Sequence, residues 1–389
     1  MPVPGPLRVA LLCDYADEGW PSMELVGEML ARALDGLPGE DLRATRIHPR
    51  MPRAFRSVPL VGGSRAAFNA DRVLGRHLRY PEHARSLRGG FDVHHVVDHS
   101  YAQLVHALPQ ERTIVTCHDL DTFRCLVEPA REPRGPLFRA LARRTLRGLQ
   151  RAARVTCDSA AVRDEVLRHG IVAPERLVVV PLGVHPELGP GPDPRADGAA
   201  AGLLGEPRGP ELLSVGSTVE RKRLDVVLAV LAAVRREVPE VRLVRVGGAL
   251  TPAQRALAAR LGVEDAVASL PFLEPRVLAA VYRRATLLLQ PSEREGFGLP
   301  VVEALACGTP VLASDLPVLR EVGDGAAEFA PVGDAARWTE DVLRLLREHR
   351  SDPARWSARR SAGIRAAGRY SWSVCAKAMA SLYREVAAA

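Results

Sequence analysis

Residues 286–313 read TLLLQPSEREGFGLPVVEALACGTPVLA, and this stretch contains the repeating unit of the predicted fold. Its first five residues predict a strand, a glycine-containing loop follows, and residues 300–306 predict a helix. Pro300 suits the first helical turn, where its missing N–H costs nothing. Gly308 and Pro310 end the helix and lead into another apolar run. The stretch therefore predicts a strand–helix–strand unit.

The same alternation of strands and helices extends over the chain. Short apolar runs predict strands at 7–13, 92–97, 113–117, 154–157, 177–180, 211–215, 241–246, 286–290 and 310–313. Helical periodicity predicts helices at 22–34, 137–153, 224–236, 252–261, 275–284 and 300–306. This alternation predicts an α/β fold with doubly wound parallel sheets, whose ligands bind beyond the carboxyl ends of the strands.

The length of 389 residues exceeds what one hydrophobic core accommodates, so two domains are expected. Residues 189–198, GPGPDPRADG, are dense in proline and glycine and predict a linker. We therefore expect an N-terminal domain at 1–188 and a C-terminal domain at 199–369, both Rossmann-like and facing each other across a cleft. The tail at 370–389 predicts one more helix.

The charge composition suits an anionic ligand without identifying one. The formal net charge is +7, with 25% charged and 47% hydrophobic residues, as in an ordinary soluble protein. The basic residues are almost all arginine, and the sequence contains only two lysines, Lys222 and Lys377. Because lysine and arginine differ chemically at phosphate sites, a retained lysine is a candidate functional residue.

The cysteines and the apolar runs favour a cytoplasmic protein. The six cysteines form no CxxC pair, which argues against a zinc site and a disulfide scaffold. The N-terminal apolar stretch is too short for a signal peptide, and no apolar run approaches the ~18–20 residues that span a bilayer. Peripheral contact with the inner membrane surface stays open, because residues 139–154 predict a basic amphipathic helix. A solvated helix face is the alternative.

Two glutamates flank the glycine-containing loop, eight positions apart. The glycines of EGFG let backbone N–H groups approach a ligand closely, and the following helix N-terminus favours a phosphate. Glu295 is expected in the loop, near the reactive end of a ligand. Glu303 is expected in the first helical turn, where it could accept hydrogen bonds from a vicinal diol. A first-turn glutamate favoured only by the helix dipole is the alternative.

A second stretch, ELLSVGSTVERKRLD at 211–225, runs from a strand through Gly216 into a helix. It places Arg221 and Lys222 beyond the carboxyl end of that strand. A cationic pair at this position can neutralise a diphosphate and stabilise it as a leaving group. Solvated basic residues at a helix start are the alternative.

These two stretches resemble glycosyltransferase family 4. Glu295 and Glu303 match its E-x7-E motif, with the flanking PS and ALACGTPV, and residues 216–222 match its G-x-x-x-x-R-K turn. The resemblance implies a GT-B fold that binds the acceptor in the N-terminal domain and the nucleotide-sugar donor in the C-terminal one. Many relatives carry arginine directly after the glycine, where this chain has Ser217, so Arg221 must supply the guanidinium.

The resemblance also assigns roles to these residues. It implies that Lys222 and Arg221 bind the donor diphosphate, that Glu303 holds the nucleotide ribose and that Glu295 contacts the transferred sugar. The backbone amides between the glutamates meet sugar hydroxyls and phosphate. They belong to Gly296, Phe297, Gly298 and Leu299. The C-terminal helix is expected to pack back on the N-terminal domain.

The N-terminal half carries weaker matches. His118 ends a predicted strand, and the resemblance places it across the cleft from the donor sugar. Gly19 occupies the position of the phosphate-facing loop of the family, which here contains one glycine. Asp92, His95 and Asp98 resemble the Asp-x-x-His-x-x-Asp stretch of the family and are interpreted as acceptor-side or structural residues.

The resemblance implies a retaining glycosyltransferase. It would move a hexosyl unit from a UDP- or GDP-linked sugar to a hydroxyl of a saccharide, glycolipid or natural product. No metal or other cofactor is expected, and the D-x-D string Asp119–Leu120–Asp121 is discounted as a chance match. Neither a nucleic-acid partner nor a particular oligomeric state is expected. A nucleotide-sugar 2-epimerase, a phosphorylase and a non-catalytic sugar-nucleotide-binding subunit remain alternatives.

Overall fold

A computed structural model describes residues 5–39, 41–60 and 62–389. The chain divides into two compact units, Met1–Gly183 with Trp372–Ala389, and Val184–Ser371. Each unit contains one six-stranded parallel sheet with helices packed against it. The predicted α/β fold with parallel sheets is confirmed. No helix within the described ranges combines the length and the apolar character needed to cross a bilayer.

The sheet of the first unit has the strand order β2-β1-β3-β4-β5-β6, with every pairing parallel. Its strands are β1 Leu7–Leu12, β2 Leu42–Ile47, β3 Val93–Val96, β4 Thr113–Cys117, β5 Arg154–Cys157 and β6 Leu177–Val179. Its helices are α1 Pro21–Asp35, α2 Arg65–Leu74, α3 Tyr80–Ser86, α4 Arg124–Val127, α5 Pro136–Arg151, α6 Ala160–Arg168 and α15 Trp372–Ala388.

The C-terminal helix α15 belongs to the first unit, where it packs against α1. Its Tyr383 hydroxyl lies 2.8 Å from Nδ1 of His95, whose Nε2 lies 2.7 Å from the Thr116 hydroxyl. Burial, with a smaller contribution from the charge of His118, lowers the pKa of His95 to about 3. His95 is therefore a neutral core residue that ties α15 to the sheet.

Helix α5 forms as predicted from its amphipathic pattern, and its buried face includes Ala142, Thr145, Gly148 and Leu149. This face packs on the 3-10 helix His99–Ala107. A Cβ atom at Gly148 would lie 1.9 Å from the Ala102 carbonyl oxygen. The two backbones therefore approach as closely as they do because this position carries no side chain.

Replacing Gly148 with Ala is expected to destabilise the protein by about 1–3 kcal/mol, because the added methyl group forces backbone atoms apart. Urea unfolding monitored by far-UV circular dichroism measures the change. Gly198→Ala is the matched control, since a Cβ there meets nothing within 4 Å on the helix Pro194–Leu204. The control should stabilise its helix by about 0.5–1 kcal/mol. Equal effects of both substitutions would contradict the packing account.

The sheet of the second unit has the order β12-β11-β10-β7-β8-β9, again entirely parallel. Its strands are β7 Glu211–Val215, β8 Arg242–Val246, β9 Val267–Leu270, β10 Leu287–Gln290, β11 Val311–Ser314 and β12 Glu328–Ala330. Its helices are α7 Pro194–Leu204, α8 Leu224–Val234, α9 Pro252–Arg260, α10 Pro275–Arg284, α11 Leu299–Ala306, α12 Pro317–Gly323, α13 Ala335–Ser351 and α14 Pro353–Ala367.

Strand β7 lies between β10 and β8, so the chain order reverses at this strand. In open α/β sheets such a switch point forms a crevice at the carboxyl edge, because the connections on its two sides diverge. The turns that follow β7, β8 and β10 therefore meet at one edge of the second unit.

The predicted linker at 189–198 is partly wrong. Helix α7 begins inside it at Pro194, and the Asp193 side chain caps the helix by accepting a hydrogen bond from the Ala196 amide. Proline occupies the first helical turn without a lost hydrogen bond, so proline density there marks a helix start rather than a break. By its contacts, the chain changes units between Gly183 and Val184.

Candidate functional site

Arg221 and Lys222 lie in the turn after β7, at the carboxyl edge of the second sheet. They lie in the 3-10 helix Glu220–Lys222, before the α-helix α8 begins. The two helices are separated by Arg223, which has a left-handed backbone with φ of 49°. The loop 291–298 follows the neighbouring strand β10. The Glu293 amide donates to the Arg221 carbonyl at 2.8 Å and ties the two turns together.

Glu295 is the buried acceptor at the centre of this edge. Its side chain is 6% exposed, and the Lys222 Nζ donates to its Oε1 at 2.6 Å. Gln290 Nε2 and Ser292 Oγ donate to the same oxygen at 2.5 and 2.7 Å. Arg221 Nη1 lies 3.6 Å from the other oxygen, Oε2. The three predicted residues Arg221, Lys222 and Glu295 therefore form one cluster.

The cluster keeps Glu295 ionised. Burial alone would raise the pKa of this carboxyl group, but the charges of Lys222 and Arg221 and the donated hydrogen bonds outweigh it and lower the pKa. With two cations and one carboxylate, the cluster itself carries a net positive charge. This arrangement suits a ligand with at least one negative charge.

Gly298 begins helix α11 from a left-handed conformation with φ of 94°. A Cβ atom there would lie 2.7 Å from Cδ2 of Leu319, so the position also lacks space for a side chain. The neighbouring Phe297 points inward and packs edge-on against Tyr370, with ring centroids 5.4 Å apart. Ligand contacts by the amides of Gly296 to Leu299 stay a prediction.

The prediction that Glu303 lies in the first helical turn is wrong. Helix α11 begins at Leu299, and its first turn contains no acidic residue. Glu303 therefore lies beyond the part of the helix in which the dipole most favours a carboxylate. Its side chain accepts a hydrogen bond from the Tyr282 hydroxyl at 2.8 Å and the residue is 7% exposed. Burial raises the pKa of this carboxyl group.

His118 follows β4 in the first unit, and both of its ring nitrogens bond within that unit. Nδ1 lies 2.6 Å from Asp158 Oδ2, and Nε2 lies 2.8 Å from the Val97 carbonyl oxygen. Burial alone would lower the pKa of His118, but the carboxylates of Asp158 and Asp98 outweigh it and raise the pKa to about 10. His118 is thus a buried imidazolium, and its contact with a sugar stays a prediction.

The charge of His118 should make stability pH-dependent. Its folded pKa of about 10 exceeds the ordinary value of 6.5, so its contribution is complete below pH 6.5 and is lost as the pH rises to about 10. We expect the free energy of unfolding to fall between these limits by a few kcal/mol more in the wild type than in His118→Gln. Urea unfolding at several pH values measures this difference. Parallel pH profiles would contradict a buried charged imidazole.

The remaining N-terminal candidates lie at different places. Gly19 ends the 3-10 helix Ala16–Glu18 after β1, has φ of 67° and is exposed. Asp92 accepts from the backbone amide and the guanidinium of Arg8, at 2.8 and 3.0 Å, before the start of β3. Asp98 accepts from the Ser100 amide at 2.8 Å after that strand. Asp92 is therefore structural, whereas Asp98 lies at the carboxyl edge.

The D-x-D residue Asp119 contacts other residues of the first unit. Asp119 Oδ1 lies 3.4 Å from His99 Nε2 and accepts from the Asp121 amide at 2.8 Å. Among the described residues, the group whose geometry could hold a metal ion is a different one, formed by Glu128, Glu165 and His169. Arg124 already pairs with both of its glutamates, at 2.8 and 2.6 Å, and supplies their counter-charge.

Sequence reasoning missed the partners of the predicted residues. Gln290 ends strand β10 and Ser292 lies in the loop that follows, so both could have been noticed as polar residues after an apolar run. Tyr282 and Asp158 carry no local signal, because they reach Glu303 and His118 from 21 and 40 positions away in the chain. Only the packing of the helices and strands brings these pairs together.

Two family models match the chain in succession. The model described as Glycosyltransferase Family 4 matches residues 29–188, and the model described as Glycosyl transferases group 1 matches residues 204–361. The second match contains the Lys222–Glu295 cluster and Glu303. The chain belongs to glycosyltransferase family 4. The two models together match most of both units of this family 4 chain.

Curated relatives agree with this assignment. The chain is 40% identical over 225 residues to a D-inositol 3-phosphate glycosyltransferase of Segniliparus rotundus, a match that covers 54% of this chain and 47% of that protein. It is 35% identical over 247 residues to a protein of the same name from Thermobispora bispora, covering 60% and 56%. The matches thus span about half the length of these relatives.

Solved structures share the fold of this family 4 chain. Sucrose-phosphate synthase from Thermosynechococcus elongatus superposes with a TM-score of 0.74 at 21% identity, covering 98% of this chain and 99% of that one. The Anabaena protein HepE, in complex with UDP and glucose, gives 0.73 at 16% identity, covering 97% and 100%. At these identities the likeness shows the two-domain α/β fold of the GT-B class and nothing finer.

Proposed function

We propose that this family 4 chain transfers a hexosyl unit from a UDP- or GDP-linked sugar to a hydroxyl of a saccharide, glycolipid or natural product. The transfer retains the anomeric configuration and needs no metal. The observation that carries the proposal is the cluster of Arg221, Lys222 and Glu295 at the carboxyl edge of the second sheet. Its net positive charge replaces the counter-charge that a metal supplies to a diphosphate in other enzymes.

In the proposed reaction the donor diphosphate binds at Arg221 and Lys222. The bond between the anomeric carbon and the phosphate oxygen breaks, and the two cations stabilise the charge that develops on the leaving diphosphate. The acceptor oxygen bonds to the anomeric carbon on the same face, and its proton passes to a phosphate oxygen. Glu295 stays ionised beside Lys222 and orients the sugar.

Glu303 supplies the ribose contact of the proposal. Its Oε2 accepts from the Tyr282 hydroxyl, which fixes the carboxylate group in one orientation. A carboxylate held in this way accepts two hydrogen bonds from a vicinal diol with little loss of side-chain freedom. We assign this contact to the diol of the nucleotide ribose.

The acceptor is proposed by class alone. The relatives described above are named D-inositol 3-phosphate glycosyltransferases, so a phosphorylated cyclitol is one acceptor to test beside saccharides. Peripheral contact with anionic lipid is a further proposal. It is supported by exposed Leu137 and Phe138 beside the exposed arginines of α5.

The test has two steps. Thermal shifts with UDP-, GDP- and dTDP-sugars identify the donor, and mass spectrometry then detects glycosylated acceptor in the presence of EDTA. The expected result is nucleoside diphosphate released in equal amount to a product whose linkage, determined by NMR, has the anomeric configuration of the donor. An epimerised donor without acceptor would favour a 2-epimerase. Incorporation from sugar 1-phosphate would favour a phosphorylase. Donor binding without either reaction would favour a non-catalytic subunit.

A further inference from the structure

Arg245 is a buried cation on strand β8. The residue is 1% exposed, and within the described part of the chain no acidic side chain pairs with it and its Nε has no hydrogen-bond partner. Burial lowers the pKa of Arg245 to about 10, so it is charged at neutral pH. An unpaired buried charge is costly for a fold. The buried charge of Arg245 therefore requires a compensating interaction.

The guanidinium lies directly behind the turn that carries the proposed diphosphate contacts. Its Nη2 donates to the Gly216 carbonyl at 2.5 Å, and its Nη1 donates to the Val246 carbonyl. A Cβ atom at Gly216 would lie 3.8 Å from Cε of Lys222. Gly216 therefore accepts a hydrogen bond from Arg245 and also lies close to the Lys222 side chain.

The neighbouring turn after β8 is built to permit this approach. Gly247 has φ of 117°, and a Cβ atom there would lie 2.0 Å from the Gly216 carbonyl oxygen and 3.1 Å from Arg245 Nη1. A side chain at this position would displace both groups. The close packing of the two turns around the guanidinium therefore depends on glycine at residue 247.

We propose that Arg245 is a positioning residue for the anionic part of the donor. It fixes the carbonyl of Gly216, orients the turn that carries Lys222, and places a permanent positive charge behind the diphosphate. The ligand then supplies the counter-charge that the protein does not. This inference rests on the proposed function, because it requires a diphosphate at the Gly216 turn.

Arg242 provides a matched control on the same strand. Its guanidinium pairs with the buried Glu211, which also accepts two hydrogen bonds of 2.7 Å from Arg284. Arg242 therefore has a carboxylate partner and lies at the opposite end of β8 from Arg245. Its removal should affect folding without affecting a ligand at the carboxyl edge.

The experiment compares wild type, Arg245→Met, Arg245→Lys and Arg242→Met by calorimetry with UDP or GDP, whichever the donor screen selects, and with the uncharged nucleoside. Arg245→Met should weaken diphosphate binding about tenfold and nucleoside binding less than twofold, since a unit charge at this range acts only on a charged ligand. Arg245→Lys should restore diphosphate affinity to within about threefold. In transfer assays the donor KM should rise about tenfold, with kcat changed less than threefold.

Three outcomes would overturn the inference: unchanged diphosphate affinity in Arg245→Met, equal losses for diphosphate and nucleoside, or no recovery in Arg245→Lys. If Arg245→Met does not fold, Arg245→Gln carries the same expectation, because it keeps a donor for Gly216 without the charge. Arg242→Met should lower the melting temperature and leave both affinities unchanged. A wild type that binds neither diphosphate would instead refute the proposed function itself.

Discussion

Replacing Lys222 with Ala is expected to lower the rate of glycosyl transfer by about 10²–10³-fold. In the proposed reaction its ammonium group stabilises charge that develops on the leaving diphosphate, and removing one such donor costs about 3–4 kcal/mol of barrier in comparable sites. Arg221 remains and retains part of the attraction for the donor. The loss should therefore appear mainly in kcat, measured by product formation at saturating donor.

Lys377→Ala is the matched control, because it removes the other lysine of the sequence from an exposed position on α15. It should leave transfer unchanged within about twofold, as surface substitutions generally do. Lys222→Ala also leaves the buried Glu295 with fewer partners and should lower stability. Adding Glu295→Gln should recover much of that stability without restoring transfer. Transfer that recovers together with stability would contradict a direct role of Lys222 at the diphosphate.

The second large effect is expected at Glu303. Replacing it with Gln should weaken donor binding by about 10²-fold, because hydrogen bonds to a charged acceptor contribute about 1.5–3 kcal/mol each. Calorimetric titration with the nucleoside diphosphate measures the loss. Since burial raises the pKa of Glu303, acidification should weaken wild-type binding at a pH above the usual range of a glutamate.

Nucleotides that lack one ribose hydroxyl test the assigned contact. Wild type should bind the 2′- or 3′-deoxy nucleoside diphosphate more weakly than the parent, and this preference should disappear in Glu303→Gln. Glu293→Gln, an exposed carboxylate in the loop that precedes helix α11, is the control and should keep both the affinity and the preference. If Glu303→Gln loses affinity but keeps the full preference for the diol, the ribose contact is assigned to the wrong residue.

The sequence predicted the central strands well and most edge strands poorly. Strands β1, β4, β7, β10 and β11 appear as mostly apolar runs, because parallel strands inside a sheet are buried on both faces, whereas β3 and β8 also carry buried histidine or arginine. The three strands that were missed, β2, β9 and β12, all lie at sheet edges and are only partly buried. Their polar residues hide the strand signal, so the missing information was their position in the sheet.

The candidate site could be predicted in its chemistry but not in its contacts. The spacing of Glu295 and Glu303 and the retained Lys222 identified the residues, since they lie in two short stretches of the sequence. The ion pair between Lys222 and Glu295 could not be predicted, because it depends on β7 and β10 being neighbours. Arg245 gave no signal, as an arginine in a strand is ordinarily exposed or paired.

A crystal structure of the protein with UDP or GDP bound tests the central claim most directly. The account predicts diphosphate oxygens within hydrogen-bonding distance of Arg221 and Lys222, and both ribose hydroxyls on the carboxylate of Glu303. The nucleotide would lie at the carboxyl edge of β7 and β10. A nucleotide bound elsewhere, or bound at this edge with its ribose away from Glu303 and its diphosphate away from Lys222, would contradict the account.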